Sequence, residues 1–323
     1  FHAGSNKSNL RPNNQKIAWM ELIVQTFQDG PVISVVIPTY RRAHILGAAI
    51  ESALAQTYRN FEVLIVDDGS PDDTESVARR FTDQDARVRY VRHVANRGLP
   101  AARNTGIHAA RGRYIAFLDD DDRWDPRKLE RQLHTIKSLD AMLCIAVANG
   151  RPLRRLRGSR VTLDDLRRGS FDPSSLLAKT EVLRDVLFDE ALREGEDWDA
   201  FIRIGQKYAI GWLPEPLLLY NDGDHTRMTS EAKMVSPLEL ERRTTMLTKH
   251  REFFGEWWYR YHLAAALMPY ISSRPHKLRH VVHATKRCGV WAVVAVFATK
   301  TLRYVRWFVF HRVRFTSDHT VPV

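Results

Sequence analysis

The amino-acid sequence predicts an α/β fold: a mostly parallel central sheet covered by helices on both faces, continued by a helical C-terminal appendage. Three observations carry that expectation. Short apolar, β-branched runs recur between Ile33 and Val147. The stretches between them bring apolar residues back every three or four positions. Beyond Pro237 the strand signal ends and the chain turns helical, aromatic and basic.

Ile33-Ser34-Val35-Val36-Ile37, stopped by Pro38, reads as a buried strand. Leu46, Ala49, Ile50, Ala53 and Leu54 follow at helical spacing. Phe61 to Val66 is a second strand. Ser70-Pro71-Asp72-Asp73 offers an N-cap, a proline at the first helical position and an acid three residues after the cap, so a helix is expected from there to about Phe81. Val88 to Val91 is a third strand, Pro100 to Ala110 a helix, and Tyr114 to Leu118 a fourth strand. Asp125-Pro126 is expected to cap a helix reaching about Lys137, and Ala141 to Val147 forms a fifth strand. Alternating strands and helices imply crossover connections and parallel pairing. Arg151 to Arg168 is basic and poor in pattern and reads as a loop region. Helical and strand segments resume from Ser174 to Tyr220. The expected organisation is an N-terminal extension over 1–30, in which Ile17 to Phe27 forms a short helix, a main domain over 31–236, and a basic, aromatic region over 237–323.

A chain of 323 residues suffices for one large domain, or for a domain of about 200–250 residues with an appendage. The formal charge of +11 favours anionic partners: nucleic acid, acidic lipid or phosphorylated small molecules. Charge alone does not choose among them. Cys144 and Cys288 lie far apart, with no disulfide framework or metal-ligand spacing, which fits a reducing cytoplasm. Phe1 to Asn14 is polar and lacks the apolar core of a secretory signal.

Ligands of open α/β sheets bind beyond the carboxyl ends of the strands. Three polar clusters fall there: Pro38-Thr39-Tyr40-Arg41 after the first strand, Asp67-Asp68-Gly69 after the second, and Asp119-Asp120-Asp121-Asp122 after the fourth. Four successive carboxylates repel one another, and a bound cation relieves the repulsion. Oxygen ligands suit Mg²⁺ or Mn²⁺, which complete their shells with phosphate oxygens and water. The acidic run therefore points to a diphosphate partner. Its bland alternative is a solvated turn capping the next helix, but Asp125 already supplies that cap. Asp67-Asp68 is either a plain turn or, with Asp68 accepting from a base N–H and Tyr40 lying against the base, part of a nucleobase pocket. Neither Gly-x-Gly-x-x-Gly nor Gly-x-x-x-x-Gly-Lys is present in these positions, which argues against a nicotinamide enzyme and a P-loop NTPase.

Val35-Val36-Ile37-Pro38-Thr39-Tyr40, Val66-Asp67-Asp68-Gly69-Ser70, Asn96-Arg97-Gly98 with Ala102-Arg103-Asn104, Phe117-Leu118-Asp119-Asp120-Asp121-Asp122 and Gly195-Glu196-Asp197-Trp198-Asp199 resemble, in order and spacing, the motifs of family 2 glycosyltransferases. The resemblance spans roughly Ile33 to Tyr220. It implies a GT-A fold, a nucleotide-diphosphate sugar donor, by default a UDP-sugar, and inversion at the anomeric carbon. By position, Pro38, Thr39, Tyr40 and Asp68 would line the donor's base pocket, and Asp120 would face the ribose. Asp121 would ligate Mn²⁺ or Mg²⁺ in the DXD-type loop shaped by Asp119 and Asp122. Arg103 and Asn104 would sit near the donor, and Asp197 would be the catalytic base with Glu196 beside it. His225 and Arg227, in Asp222-Gly223-Asp224-His225-Thr226-Arg227, fall where related enzymes close a flexible segment on the diphosphate. Here His225 would reach the metal and Arg227 the diphosphate, although the wording of this segment departs from the commoner one. Trp198 reads more readily as a packing residue than as an acceptor platform. Ser174-Ser175 either borders the acceptor pocket or caps a helix.

In the C-terminal region Trp291, Val294, Ala295, Ala298, Leu302, Val305 and Val309 keep helical spacing, with Lys300 and Arg303 opposite. Cys288 to Ala298 is too short to span a bilayer. It would lie on an anionic membrane surface, pack on the main domain, or serve a homo-oligomer contact. The first use suits a saccharide or lipid-linked acceptor of cell-surface polysaccharide or lipopolysaccharide synthesis, met by a cytoplasmic enzyme peripheral to the inner face of the membrane. Two other readings compete. A nucleotidyltransferase of related fold would carry a glycine-rich basic loop after the first strand, where Pro38-Thr39-Tyr40-Arg41-Arg42 has no glycine. A nucleic-acid-binding protein would stripe one surface with cations and stacking aromatics. No nucleic-acid partner is expected.

Overall fold

The computed structural model describes residues 30–148, 156, 158–192, 194–219, 235–269, 271–273 and 276–315, with 303–315 as backbone only. The expected Ile17–Phe27 helix, His225 and Arg227 lie outside the described residues. Strand β1 (Ile33–Thr39) leads to helix α1 (Ala43–Leu54), and β2 (Phe61–Asp67) to α2 (Thr74–Gln84). Then come β3 (Val88–Arg92), α3 (Leu99–Ala109), β4 (Tyr114–Phe117), β5 (Arg123–Trp124), α4 (Lys128–Ser138) and β6 (Leu143–Ala148). β7 (Arg160–Val161), α5 (Leu163–Arg168), β8 (Leu176–Lys179), α6 (Thr180–Asp185), α7 (Glu196–Lys207) and β9 (Ile210–Leu219) complete the sheet layer. The C-terminal side is α8 (Pro237–Arg242), α9 (Thr245–Lys249), α10 (Arg251–Leu267), α11 (Lys277–Cys288) and α12 (Val290–Phe315).

Among the described residues the sheet has nine strands, ordered β3-β2-β1-β4-β8-β6-β9-β5, with β7 added on β9. The pairs β1–β2, β1–β4, β2–β3 and β6–β9 are parallel, while β8 runs antiparallel to β4 and β6. The continuous apolar runs follow from burial on both faces. Val35 and Ile37 pack with Leu46 and Ile50 of α1, whereas Val36 and Leu64 join the opposite layer with Ile107 of α3. Pro38 does not stop β1 as expected. The β1–β4 register ends at Val36 and Phe117, so no ladder donor is needed from Pro38 on that side.

Two local expectations fail for identifiable reasons. Ser70 does not cap α2. Gly69, at φ 75, turns the chain so that Ser70 N donates to Asp67 Oδ1 and Ser70 Oγ accepts from Arg41 N. The helix begins at Thr74, whose N–H is met by Asp72 Oδ1. The basic Arg151–Arg168 stretch is not loop throughout: Thr162 and Asp165 form a capping box that starts α5.

A third core gathers Leu240, Met246, Leu263, Ala284 and Val293 of the C-terminal helices around Leu192 and Ile202 of the main domain. α12 turns Ala292, Val293 and Val296 into it, while Trp291, Val294 and Leu302, read in the sequence as one stripe, face outward. No helix among the described residues is long and apolar enough to cross a membrane.

Candidate active site

The antiparallel β4–β8 pair organises the acidic edge. Its register sets Ala116 opposite Leu177, and continued past the end of β4 it brings Asp119 to the residues just before β8. Asp119 N donates to Ser174 Oγ at 2.9 Å. Asp172 caps a short 3₁₀ turn, Pro173–Ser175, by accepting from Ser174 N. Carboxylate oxygens of Asp119, Asp122 and Asp172 thereby come within 4.8 Å of one another. Asp122 is buried, and its Oδ1 has no hydrogen-bond partner among the described residues. Burial, then the charges of Asp172 and Asp119, push its carboxyl up to about 8. An orphaned, crowded carboxylate oxygen among oxygen donors fits a hard dication.

The other members of the run are engaged separately. Asp120 Oδ2 accepts from Thr39 Oγ1 at 2.7 Å, and burial raises its carboxyl to about 7. Asp121, expected as the metal ligand, lies 3.6 Å from Arg42 Nη1 and outside the three-carboxylate group. Arg41 precedes it with left-handed backbone, φ 57, which is rare for a residue with a Cβ and concentrates at ligand sites.

Arg103 is the electrostatic centre. Only 2% exposed, it donates to Asp119 Oδ1 at 3.0 Å and Glu196 Oε1 at 2.9 Å. Burial opposes its charge, but Asp119 and Glu196 hold it firmly protonated. Glu196 and Asp197 open α7 behind Gly195, which sits at φ 78 in the left-handed region, and the helix dipole favours acids there. Asp197 accepts from Ser170 Oγ at 3.2 Å and from Trp198 N at 2.7 Å. Burial first and Glu196 second raise its carboxyl to about 7, against the pull of Arg103. A cleft of about 310 Å³ is lined by Arg103, Asp119, Asp172, Glu196 and Asp197. A larger groove of about 1970 Å³ shares Leu99, Glu196 and Asp197 and extends over Trp198 to α8 and α9.

Three expected donor residues have structural duties. Asp68 is buried and accepts from His93 Nδ1, Arg97 N and Gly98 N, so its carboxylate shapes the loop before α3. A Cβ on Gly69 would stand 2.8 Å from the Ala95 carbonyl carbon, which ties the same loop to this turn. Asn104 is buried and bonded to both backbone groups of Phe188 and to Glu190, so it pins the 188–190 segment. Pro38 is buried inside β1, whereas the Tyr40 ring is exposed at the strand's end. Trp198 packs edge-on against Phe254 and His262 and donates to Leu166 O, as its packing role requires. Asp172 and Ser170 were missed. Asp172-Pro173 carried a capping signal, but only the antiparallel register reveals its proximity to Asp119.

Residues 34–181 match the family model "Glycosyl transferase family 2". An uncharacterized glycosyltransferase of Rickettsia bellii is 33% identical over 219 residues, covering 62% of this chain and 31% of that protein. The Escherichia coli UDP-Glc:alpha-D-GlcNAc-diphosphoundecaprenol beta-1,3-glucosyltransferase WfgD is 41% identical over 105 residues, 32% of this chain and 41% of its own. The chain spans about a third of the length of the rickettsial relative. Staphylococcus aureus TarS 1–349 in complex with UDP-GlcNAc superposes with a TM-score of 0.59 at 18% identity, over 84% of this chain and 91% of that one. The mannosyltransferase PcManGT of Pyrobaculum calidifontis, in complex with GDP-Man and Mn²⁺, gives 0.59 at 16% identity over 89% and 88%. Residues 34–181 thus resemble family 2 glycosyltransferases in sequence, and the chain has the GT-A fold of these neighbours.

Proposed function

We propose that this chain is an inverting glycosyltransferase that moves a hexosyl or N-acetylhexosaminyl group from a nucleotide-diphosphate sugar, a UDP-sugar first, to a hydroxyl of a saccharide or lipid-linked acceptor. The observation that carries this reading is the cleft in which Asp197 meets Arg103, Asp119, Asp172 and Glu196 at the carboxyl edge of the sheet. WfgD, whose name specifies a UDP-glucose donor and a diphosphoundecaprenol acceptor, supports the donor and acceptor classes. The acidic wall of Asp119, Asp121, Asp122 and Asp172 would hold Mn²⁺ or Mg²⁺, and the bound dication would offset charge on the diphosphate leaving group. Asp197, with its proton affinity matched to neutral pH, takes the proton of the acceptor hydroxyl as that oxygen bonds to the anomeric carbon and the bond to the β-phosphate oxygen breaks. Ser170 Oγ and Trp198 N hold the Asp197 carboxylate in its cleft. The larger groove over Trp198 serves the acceptor, and the enzyme works in the cytoplasm at the inner face of the membrane.

The test is a thermal-shift screen of UDP-glucose, UDP-GlcNAc and GDP-mannose with and without Mn²⁺, followed by transfer to acceptor. Asp197→Asn should keep the donor-dependent shift and lose transfer. Retained transfer by that variant would remove Asp197 from the base role.

A further inference from the structure

The charge of this chain is segregated. Trp257 to Ser317 contain eleven Lys and Arg and no Asp or Glu, so the formal excess of +11 lies wholly in this stretch and the remainder balances. The main structural elements of the stretch are the C-terminal part of α10, α11 and α12. α12 presents an outward strip of Val290, Trp291, Val294, Phe297 and Leu302, with Trp291 74% and Leu302 64% exposed. The strip runs for about 18 Å along the axis. Lys300, the one cation between Val290 and Leu302, turns back to Met268 O at 2.7 Å, which leaves the strip uncharged. Lys277, Arg279 and Lys286 of α11 are exposed beside this helix pair.

We infer that α12 is the element that seats the protein on an anionic lipid surface, with Trp291, Val294, Phe297 and Leu302 entering the headgroup boundary and Lys277, Arg279 and Lys286 of α11 meeting the lipid charge. This identifies the surface behind the membrane-side acceptor proposed above and rests on that reading for its purpose. The chemistry selects the partner. A narrow apolar strip within acid-free, cation-rich helices is the pattern of an in-plane interfacial helix. A second copy is disfavoured, because a two-fold contact through the uncharged strip would bring two sets of acid-free, cation-bearing α11 helices together.

The experiment is co-sedimentation of the full chain with phosphatidylcholine vesicles, with and without about a quarter phosphatidylglycerol, at low and high salt. No donor or acceptor is added, so failure of the glycosyl-transfer reading leaves the result intact. The expected result is binding only to the phosphatidylglycerol vesicles, weakened by salt and reduced at least about tenfold in Trp291→Glu and in Leu302→Glu, both exposed positions. Far-ultraviolet circular dichroism and melting temperature verify that each variant is folded. Absence of binding to anionic vesicles would overturn the proposal. So would undiminished binding by both folded variants, or sedimentation velocity showing a dimer that Trp291→Glu dissociates.

Discussion

Replacing Arg103 by methionine removes the single cation shared by Asp119 and Glu196 and leaves two partly buried acids facing each other. Removing one partner from a buried ion pair costs about 3–5 kcal/mol. At about 2–4 °C per kcal/mol for a domain of this size, the melting temperature should fall by about 10 °C. Arg103 also pulls the Asp197 carboxyl down, so its loss should move the acid limb of the transfer rate upward by about one pH unit. Arg103→Lys should recover part of the stability, since a point charge reaches one acid and lacks the fork that reaches both. Thermal denaturation and a pH–rate profile read the two effects separately. A methionine variant that melts within about 1 °C of the parent and keeps its pH limb would refute the electrostatic account.

Other outcomes follow from the same geometry. Transfer should lose about tenfold per pH unit below pH 7, where Asp197 is protonated, and a pH-independent rate between 5 and 8 would remove it as the titrating base. Because Asp122 is raised to about 8 in the fold, its protonated form adds stability at low pH that is lost as pH rises from the unfolded carboxylate range through 8. Mn²⁺ should therefore raise the melting temperature more at pH 8 than at pH 6, measured by calorimetry. Asp172→Asn should abolish the Mn²⁺-dependent shift; its retention, with loss in Asp121→Ala, would move the ion from the Asp119, Asp122 and Asp172 group to Asp121. Asp199→Ala should destabilise by about 3–5 kcal/mol, because fully buried Asp199 accepts from His250, Lys249 and Arg203, and hydrogen exchange should rise first in α9 and α10.

The sheet was legible because strands buried on both faces write themselves as apolar runs, and the acidic edge because four carboxylates after such a run are costly without a counter-ion. Glu196 and Asp197 were legible through the family motif, and the fold then explains their place by the αL turn at Gly195. What stayed hidden depends on partners distant in sequence. The loop-holding duties of Asp68 and Asn104 are invisible locally, because the backbone they hold, that of Arg97, Gly98 and Phe188, is distant in sequence. The outward strip of α12 was read as one apolar periodicity, but which side of a helix is buried depends on the neighbour it meets. Asp172 entered the site through strand pairing, which no local pattern encodes.

The N-terminal half of helix α7 faces two ways. Its first turn presents Asp197 to the cleft, while two residues later Asp199 is gripped by Lys249 and His250, and Ile202 sits in the third core. Cutting the chain at Ser236 would therefore bare an apolar helix flank and strip Asp199 of its Lys249 and His250 partners. Exchanging the C-terminal helices between relatives would require exchanging the inner flank of α7 with them, so the seam along which such chimaeras can be spliced runs through α7 and not through the segment at Ser236.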